Sequence, residues 1–212
     1  PKPHNPPSTA RACPGIGRTM PTENKTADPL KVERSTVTKL VITGAKNLDR
    51  ITVFLEDLAP NRGKITVSCW GKSWTAYWGG MWDGLNIGQF FCELSTSYII
   101  GYFDQTLRPR QFSGDALANE AQRLVLKERR RFGYTSDEAR EMFDAAEDLR
   151  ESPSIDHLHG AHSELMTKLF GDEWWHMTSD ATEPNPDYAY LERIILAVQH
   201  ALRQEQPQQE AA

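Results

Sequence analysis

The sequence predicts an α+β fold, a small antiparallel β-meander of about four strands followed and covered by several α-helices. Three observations point there. Three β-branched runs separated by turn residues stand together at 37–43, 51–57 and 64–70. Helical periodicity dominates only after them, over 114–131, 136–150 and 187–204. No strand-like run alternates with those helices, so the layers segregate as they do in α+β proteins.

The strands come first. In the second run Ile51, Val53 and Leu55 alternate with Thr52, Phe54 and Glu56, and in the third Ile65, Val67 and Cys69 alternate with Thr66, Ser68 and Trp70. Period two over short runs is the pattern of a half-buried antiparallel sheet, and "KNLD" and "APNRG" supply the intervening turns. The fourth strand is hidden in "CWGKSWTAYWGGMW", whose tryptophans at 70, 74, 78 and 82 have helical spacing. A helix there would have to absorb Gly71, Gly79, Gly80 and Gly84, at about 1 kcal/mol each relative to alanine. A hairpin with a type II′ turn at Gly71-Lys72 fits better. It pairs Trp70 with Ser73, Cys69 with Trp74, Val67 with Ala76 and Ile65 with Trp78. One face then reads Ile65, Val67, Cys69, Trp74, Ala76, Trp78, and the other Thr66, Ser68, Trp70, Ser73, Thr75, Tyr77.

Helices follow. "LNIGQFFCEL" offers Leu85, Phe90, Phe91 and Leu94 for a short helix over the sheet, and Ser95 is placed to cap the next segment. Residues 114–131 bury Leu117, Ala121, Leu124 and Val125. Residues 136–150 open on a capping box, Thr135 with Glu138, and bury Ala139, Met142, Phe143, Ala146 and Leu149. A shorter helix over 162–170 stops at Gly171. The last helix, 187–204, starts at Asn185-Pro186, a cap followed by proline at the first helical position, and buries Leu191, Ile194, Ile195, Val198 and Leu202.

Composition divides the chain into four parts. Residues 1–35 read as a disordered segment, because seven of the thirteen prolines fall within 1–29 and apolar content is minimal. The chain begins without methionine and Met20 opens a start-like stretch, so 1–19 are expected to be non-native. Residues 36–150 form the α+β domain, 151–204 a helical extension and 205–212 a disordered tail. The helical extension is expected either to dock on that domain or to serve as the surface of a homo-oligomer. No apolar run reaches the roughly 18 residues that a membrane span needs. The formal charge of −5 provides no global basic field for nucleic acid. Cys13, Cys69 and Cys92 are too scattered for a disulfide framework and read as free thiols, with Cys69 and Cys92 buried.

The tract "NLDRITVFLEDLAPNRGKITVSCWGKSWTAYWGGM", the following "IGQFFCELSTSYIIGYF" and the helical "ANEAQRLVLKERRRFGYTSDEAREMFDAAEDL" resemble a family of small phage and prophage accessory proteins. The resemblance covers about residues 36–150 and is carried above all by the C-G-x-x-W-x-A-Y-W-G-G-M hairpin. It departs from the family pattern at Trp82-Asp83 and after residue 152. It implies a phage or integrated-element origin and a cytoplasmic bacterial setting. It supplies no activity and no catalytic residues.

Several clusters compete as sites. His157, His159 and His162 with Asp156 and Glu164 are dense enough to suggest Zn²⁺, yet their HxHxxH spacing matches no metal template, and histidines in a Pro-flanked linker are the expected reading. Arg129, Arg130 and Arg131 in "KERRRF" form a candidate phosphate contact, against the alternative that they pair with the acidic helix that follows. Trp70, Tyr77 and Trp82 are candidate binding anchors beside Gly79-Gly80, unless the later helices cover them. Trp174-Trp175 reads as packing or a homotypic contact. No nucleophile elbow, P-loop, GxGxxG, HExxH or CxxC is present, so no catalytic residue, metal or cofactor is assigned. The resulting expectation is a non-enzymatic phage accessory protein that binds a host protein or small ligand. A nucleic-acid-binding regulator and an enzyme with an unrecognised site are the alternatives.

Overall fold

A computed structural model describes residues 30–129, 131 and 133–209. The expectations for residues 1–29, Cys13 among them, and for 210–212 lie outside the described residues. The chain divides into two units, 1–36 and 37–212. In the first, residues 30–36 have neither helix nor strand, and Lys31 pairs with Glu33 at 2.6 Å.

The second unit begins with β1 (Thr38–Ile42), β2 (Ile51–Ala59), β3 (Arg62–Cys69) and β4 (Lys72–Trp78), an antiparallel sheet in the order β1-β2-β3-β4. Two helices follow, α1 (Ile87–Glu93) and α2 (Thr96–Phe103), then β5 (Arg110–Phe112) and α3 (Gly114–Glu128). Next come α4 (Ser136–Ala145), α5 (Ile155–Ala161) and α6 (Ser163–Phe170), with 3₁₀ turns at Ala146–Glu151 and Trp174–Ser179. The chain closes with β6 (Thr182–Pro184) and α7 (Pro186–Gln209). This is the predicted α+β arrangement of a meander followed by helices.

The expected alternation holds. Ile51, Val53, Ile65, Val67, Cys69, Ala76 and Trp78 are buried on one face, and α1 and α7 bring Ile87, Phe90, Phe91, Leu191, Ile194, Ile195, Val198 and Leu202 onto it. Capping fixes where α1 lands. Asp57 Oδ1 of β2 accepts from Ile87 N at 2.7 Å, while Asn86 and Gln89 form a capping box. Gly63 permits the close approach, since a Cβ there would sit 2.7 Å from Ile87 Cβ. At the other end, buried Gln199 of α7 donates to Phe91 O at 2.9 Å and Leu94 O at 2.8 Å, satisfying carbonyls that the end of α1 leaves unpaired. Cys69 and Cys92 are buried free thiols, as expected, and burial pushes the Cys92 pKa up.

The described caps match the sequence: Ser95 accepts from Tyr98 N, Thr135 and Glu138 form both bonds of their box, and Asn185 Oδ1 accepts from Asp187 N. Partition is where the structure departs. A second core unites Leu117, Ala121, Val125, Met142, Leu149, Leu158, Met166 and Trp174 from the middle helices. It crosses the expected boundary at 150/151. Of the two expectations for the extension, α7 takes docking: five aliphatic side chains buried with the sheet, at about 1.5–3 kcal/mol each, make it integral to the first core. The apolar stripe of α7 is therefore occupied within the chain and not free for oligomerisation. α7 also runs through 205–209, expected to belong to the tail. The histidine stretch is not a linker: it forms α5 and breaks at His162 before α6. Between the two cores, β5 pairs with β6, Arg110 opposite Pro184 and Phe112 opposite Thr182, a ladder that sequence periodicity over three residues does not reveal.

Candidate functional site

The β3–β4 hairpin turns at Trp70-Gly71 and not at Gly71-Lys72. Both central residues have positive φ, +49° and +71°, the signature of a type I′ turn. The observed pairs are Cys69 with Lys72, Ser68 with Ser73, Val67 with Trp74, Thr66 with Thr75, Ile65 with Ala76, Lys64 with Tyr77 and Gly63 with Trp78. The expected register is thus two residues out. The face assignment survives because side chains alternate with period two, so a slip of two leaves every residue on its side. Trp70 leaves the strand altogether and occupies the tip. Trp74 is only half-buried, and Trp78 is the core tryptophan, 3% exposed.

The second face of the sheet is hydroxyl-rich. Thr66 and Thr75 share a hydrogen bond of 2.9 Å between their hydroxyls, and Ser68 and Ser73 one of 2.7 Å. Lys64 pairs with Glu56 at 3.2 Å, and Lys39 Nζ lies 5.7 Å from the Phe54 ring centroid. Since α1 and α7 pack on the opposite face, the later helices do not cover this one, and Ser73, Thr75 and Tyr77 are exposed.

Trp70, Tyr77 and Trp82 are 74%, 51% and 56% exposed. They do not converge within one chain. Tyr77 lies opposite Lys64, six residues along β3 from Trp70, which separates them by about 20 Å at the rise of a strand. Trp82 belongs to the Tyr77 end. Its loop is pinned by Met81 N to Asn61 O at 2.7 Å and Asn61 Nδ2 to Asp83 Oδ1 at 2.5 Å. Its ring packs edge-on against Phe90 at 5.4 Å.

Sequence reasoning passed over Tyr98 and Tyr102, which extend this aromatic end. Phe90 meets Trp78 at 5.6 Å, Trp78 stacks on Tyr102 at 5.2 Å, and Tyr102 meets Tyr98 at 4.8 Å. Their i, i+4 spacing in "STSYIIGYF" was the available signal. A hydrogen bond to Tyr98 raises the Tyr102 pKa above the ordinary phenol value. The indole N–H of Trp78 is buried in this cluster without a hydrogen-bond partner among the described residues.

The remaining candidates lie apart from the hairpin. Arg129 and Arg131 are exposed beyond α3, on the second core, and Arg131 pairs with Glu128 at 3.6 Å. Arg130 lies outside the described residues. In the acidic stretch after them, Glu147 pairs with Arg150 at 2.7 Å, and Arg150 also reaches back to Asp115 of α3 at 2.8 Å. His159 packs against Trp174 at 4.5 Å and His157 lies 5.6 Å from His162. Among the described residues, no three His, Cys, Asp or Glu side chains gather as metal ligands would. Trp174 is buried in the second core, while Trp175 is exposed. A groove of about 460 Å³ between α3, α4 and α6 is lined by Leu124, Val125, Glu128, Met142, Lys168 and Phe170 among others.

Residues 30–204 match the model of a phage family. The chain belongs to this phage family. No curated protein and no solved structure matches the chain. None of the described helices is long and apolar enough to cross a membrane.

Proposed function

We propose that this member of a phage family is a non-enzymatic accessory protein that binds a host protein in the bacterial cytoplasm through the aromatic hairpin and the hydroxyl face of its sheet. The observation that carries the reading is the state of Trp70. It occupies the first central position of a type I′ turn, where asparagine, aspartate and glycine are favoured, at φ +49° and 74% exposed. Left-handed backbone costs an L-residue about 1–2 kcal/mol, and so exposed a ring recovers little of that by burial. Tryptophan at such a site is the composition of a binding anchor. The open face behind it is lined by hydroxyls together with Lys39, Val41, Phe54, Glu56, Lys64 and Tyr77, and no helix packs on it. Such a surface suits a macromolecular partner better than a small ligand, which favours a concave site.

The test is capture from host lysate by the wild type, Trp70→Asn and a control, Leu196→Ala, on the exposed side of α7. A host protein retained by the wild type and the control but lost by Trp70→Asn supports the reading. Equal recovery by all three overturns it.

A further inference from the structure

Among the described residues, the sheet ends at β4 with an unpaired edge. In a hairpin closed by a two-residue turn, the flanking pair, Cys69 and Lys72, exchanges both main-chain bonds, and bonded pairs then alternate. Lys72, Trp74, Ala76 and Trp78 therefore spend their N–H and C=O groups on β3, and Ser73, Thr75 and Tyr77 direct theirs outward. Among the described residues, no main-chain bond from another segment reaches those three. The usual edge protections are lacking too: β4 has no proline and no bulge, and its one charge, Lys72, stands at the start.

We infer that β4 pairs antiparallel with β4 of a second copy of this chain, about a two-fold axis through Thr75, to make a continuous eight-stranded sheet. The strand is self-complementary about that point. Thr75 lies opposite the partner's Thr75, and Ser73 opposite the partner's Tyr77, so hydroxyls meet at the axis and a small residue faces a ring. On the apolar face, large Trp74 lies opposite the partner's Ala76. Lys72 lies opposite the partner's Trp78, which keeps the two lysines about six residues, or roughly 20 Å, apart. No like charges meet.

The same pairing accounts for the scattered aromatics. The Trp70-Gly71 tip comes level with the partner's Gly79, next to Gly80, where a Cβ would meet nothing within 4 Å of its own chain. It then stands about two residues, roughly 7 Å along the strand, from the partner's Tyr77, against about 20 Å from its own. Two copies thus assemble a composite aromatic surface that one chain leaves divided. The pairing rests on the strand geometry alone and adds to the proposed function a second chain that completes the binding surface.

Sedimentation of the full chain across a concentration series tests it. The wild type is expected to dimerise. Thr75→Lys and Thr75→Glu each place like charges at the axis and should weaken the dimer by at least about tenfold. An equimolar mixture of the two should restore it, with circular dichroism confirming that each variant is folded. Thr75→Cys should form an interchain disulfide on oxidation, whereas Thr52→Cys, on the same face of an interior strand, should not. A chain that stays monomeric with no Thr75→Cys cross-link overturns the inference. So does a dimer that ignores Thr75→Lys. Host-protein capture is read separately, so either proposal can fail without the other.

Discussion

Replacing Trp70 by asparagine separates a structural from a binding role for the hairpin tip. Asparagine followed by Gly71 is the pair that a type I′ turn prefers, so the substitution relieves the left-handed strain by about 1 kcal/mol. Against that stands the lost packing. With 74% of Trp70 exposed, about a quarter of the residue is covered. A quarter of a surface of about 200 Å², at about 25 cal/mol per Å², comes to about 1.3 kcal/mol. The two effects nearly cancel, and the net change should stay within about 0.5 kcal/mol of zero. For a unit of this size that is a shift in Tm of no more than about 2 °C. Denaturant titration followed by circular dichroism measures it, with partner capture read on the same sample. A loss of about 2 kcal/mol or more would refute the reasoning, because it would mean that the indole supports the fold and that its exposure needs no partner.

Trp78→Ala should cost about 3–5 kcal/mol as a buried aromatic, and more than Trp74→Ala, whose ring is only half-buried. Trp78→Phe should be far milder, since it removes a buried N–H that has no partner among the described residues; a cost equal to that of alanine would show that the indole nitrogen is bonded. Gly114→Ala should destabilise by about 1–3 kcal/mol in thermal unfolding, because its Cβ would lie 2.5 Å from the carbonyl oxygen of Arg150 and only backbone movement can relieve it. The main-chain N–H and the hydroxyl of Thr135 hold the Glu138 pKa below its ordinary value. Stabilisation from that carboxylate is therefore full above its unfolded pKa and lost as pH falls through the folded one. The stability difference between wild type and Glu138→Gln should shrink over that acid range, and a pH-independent difference would show that the charge is not what caps α4.

How much of this was legible follows from the range of each interaction. The faces of the hairpin were readable because Ile65, Val67, Ala76 and Trp78 differ so plainly from Thr66, Ser68 and Thr75, and that contrast tolerates a slip of two. The register was not. Turn preference places glycine, not tryptophan, at the first left-handed position, and the actual turn violates it at Trp70. Caps such as Thr135–Glu138 and Asn185–Pro186 were legible because they are local. The return of α7 to the sheet depends on packing across more than a hundred residues of chain, which periodicity does not carry. The same limit hid the open hydroxyl face, since its exposure depends on where the helices dock. In α5, the flanking proline outweighed a helix of only two turns.

The β5–β6 ladder has a consequence for how the molecule is built. With Asn185 N bonded to Pro109 O at 3.0 Å and Ser113 N to Ala181 O at 3.0 Å, it zips together the two ends of the segment between α2 and α7. Topologically, that segment is a cassette inserted into the first core through a narrow neck. Nascent sheet, α1 and α2 must wait for α7 to be synthesised before their core can close, because Gln199 and Leu202 arrive last. Once the neck is formed, the length of the cassette matters little: closing a loop of twice its roughly 80 residues costs only about 0.6 kcal/mol more. The neck is therefore the joint at which the helical module can be shortened, enlarged or exchanged while the sheet and its aromatic hairpin are kept.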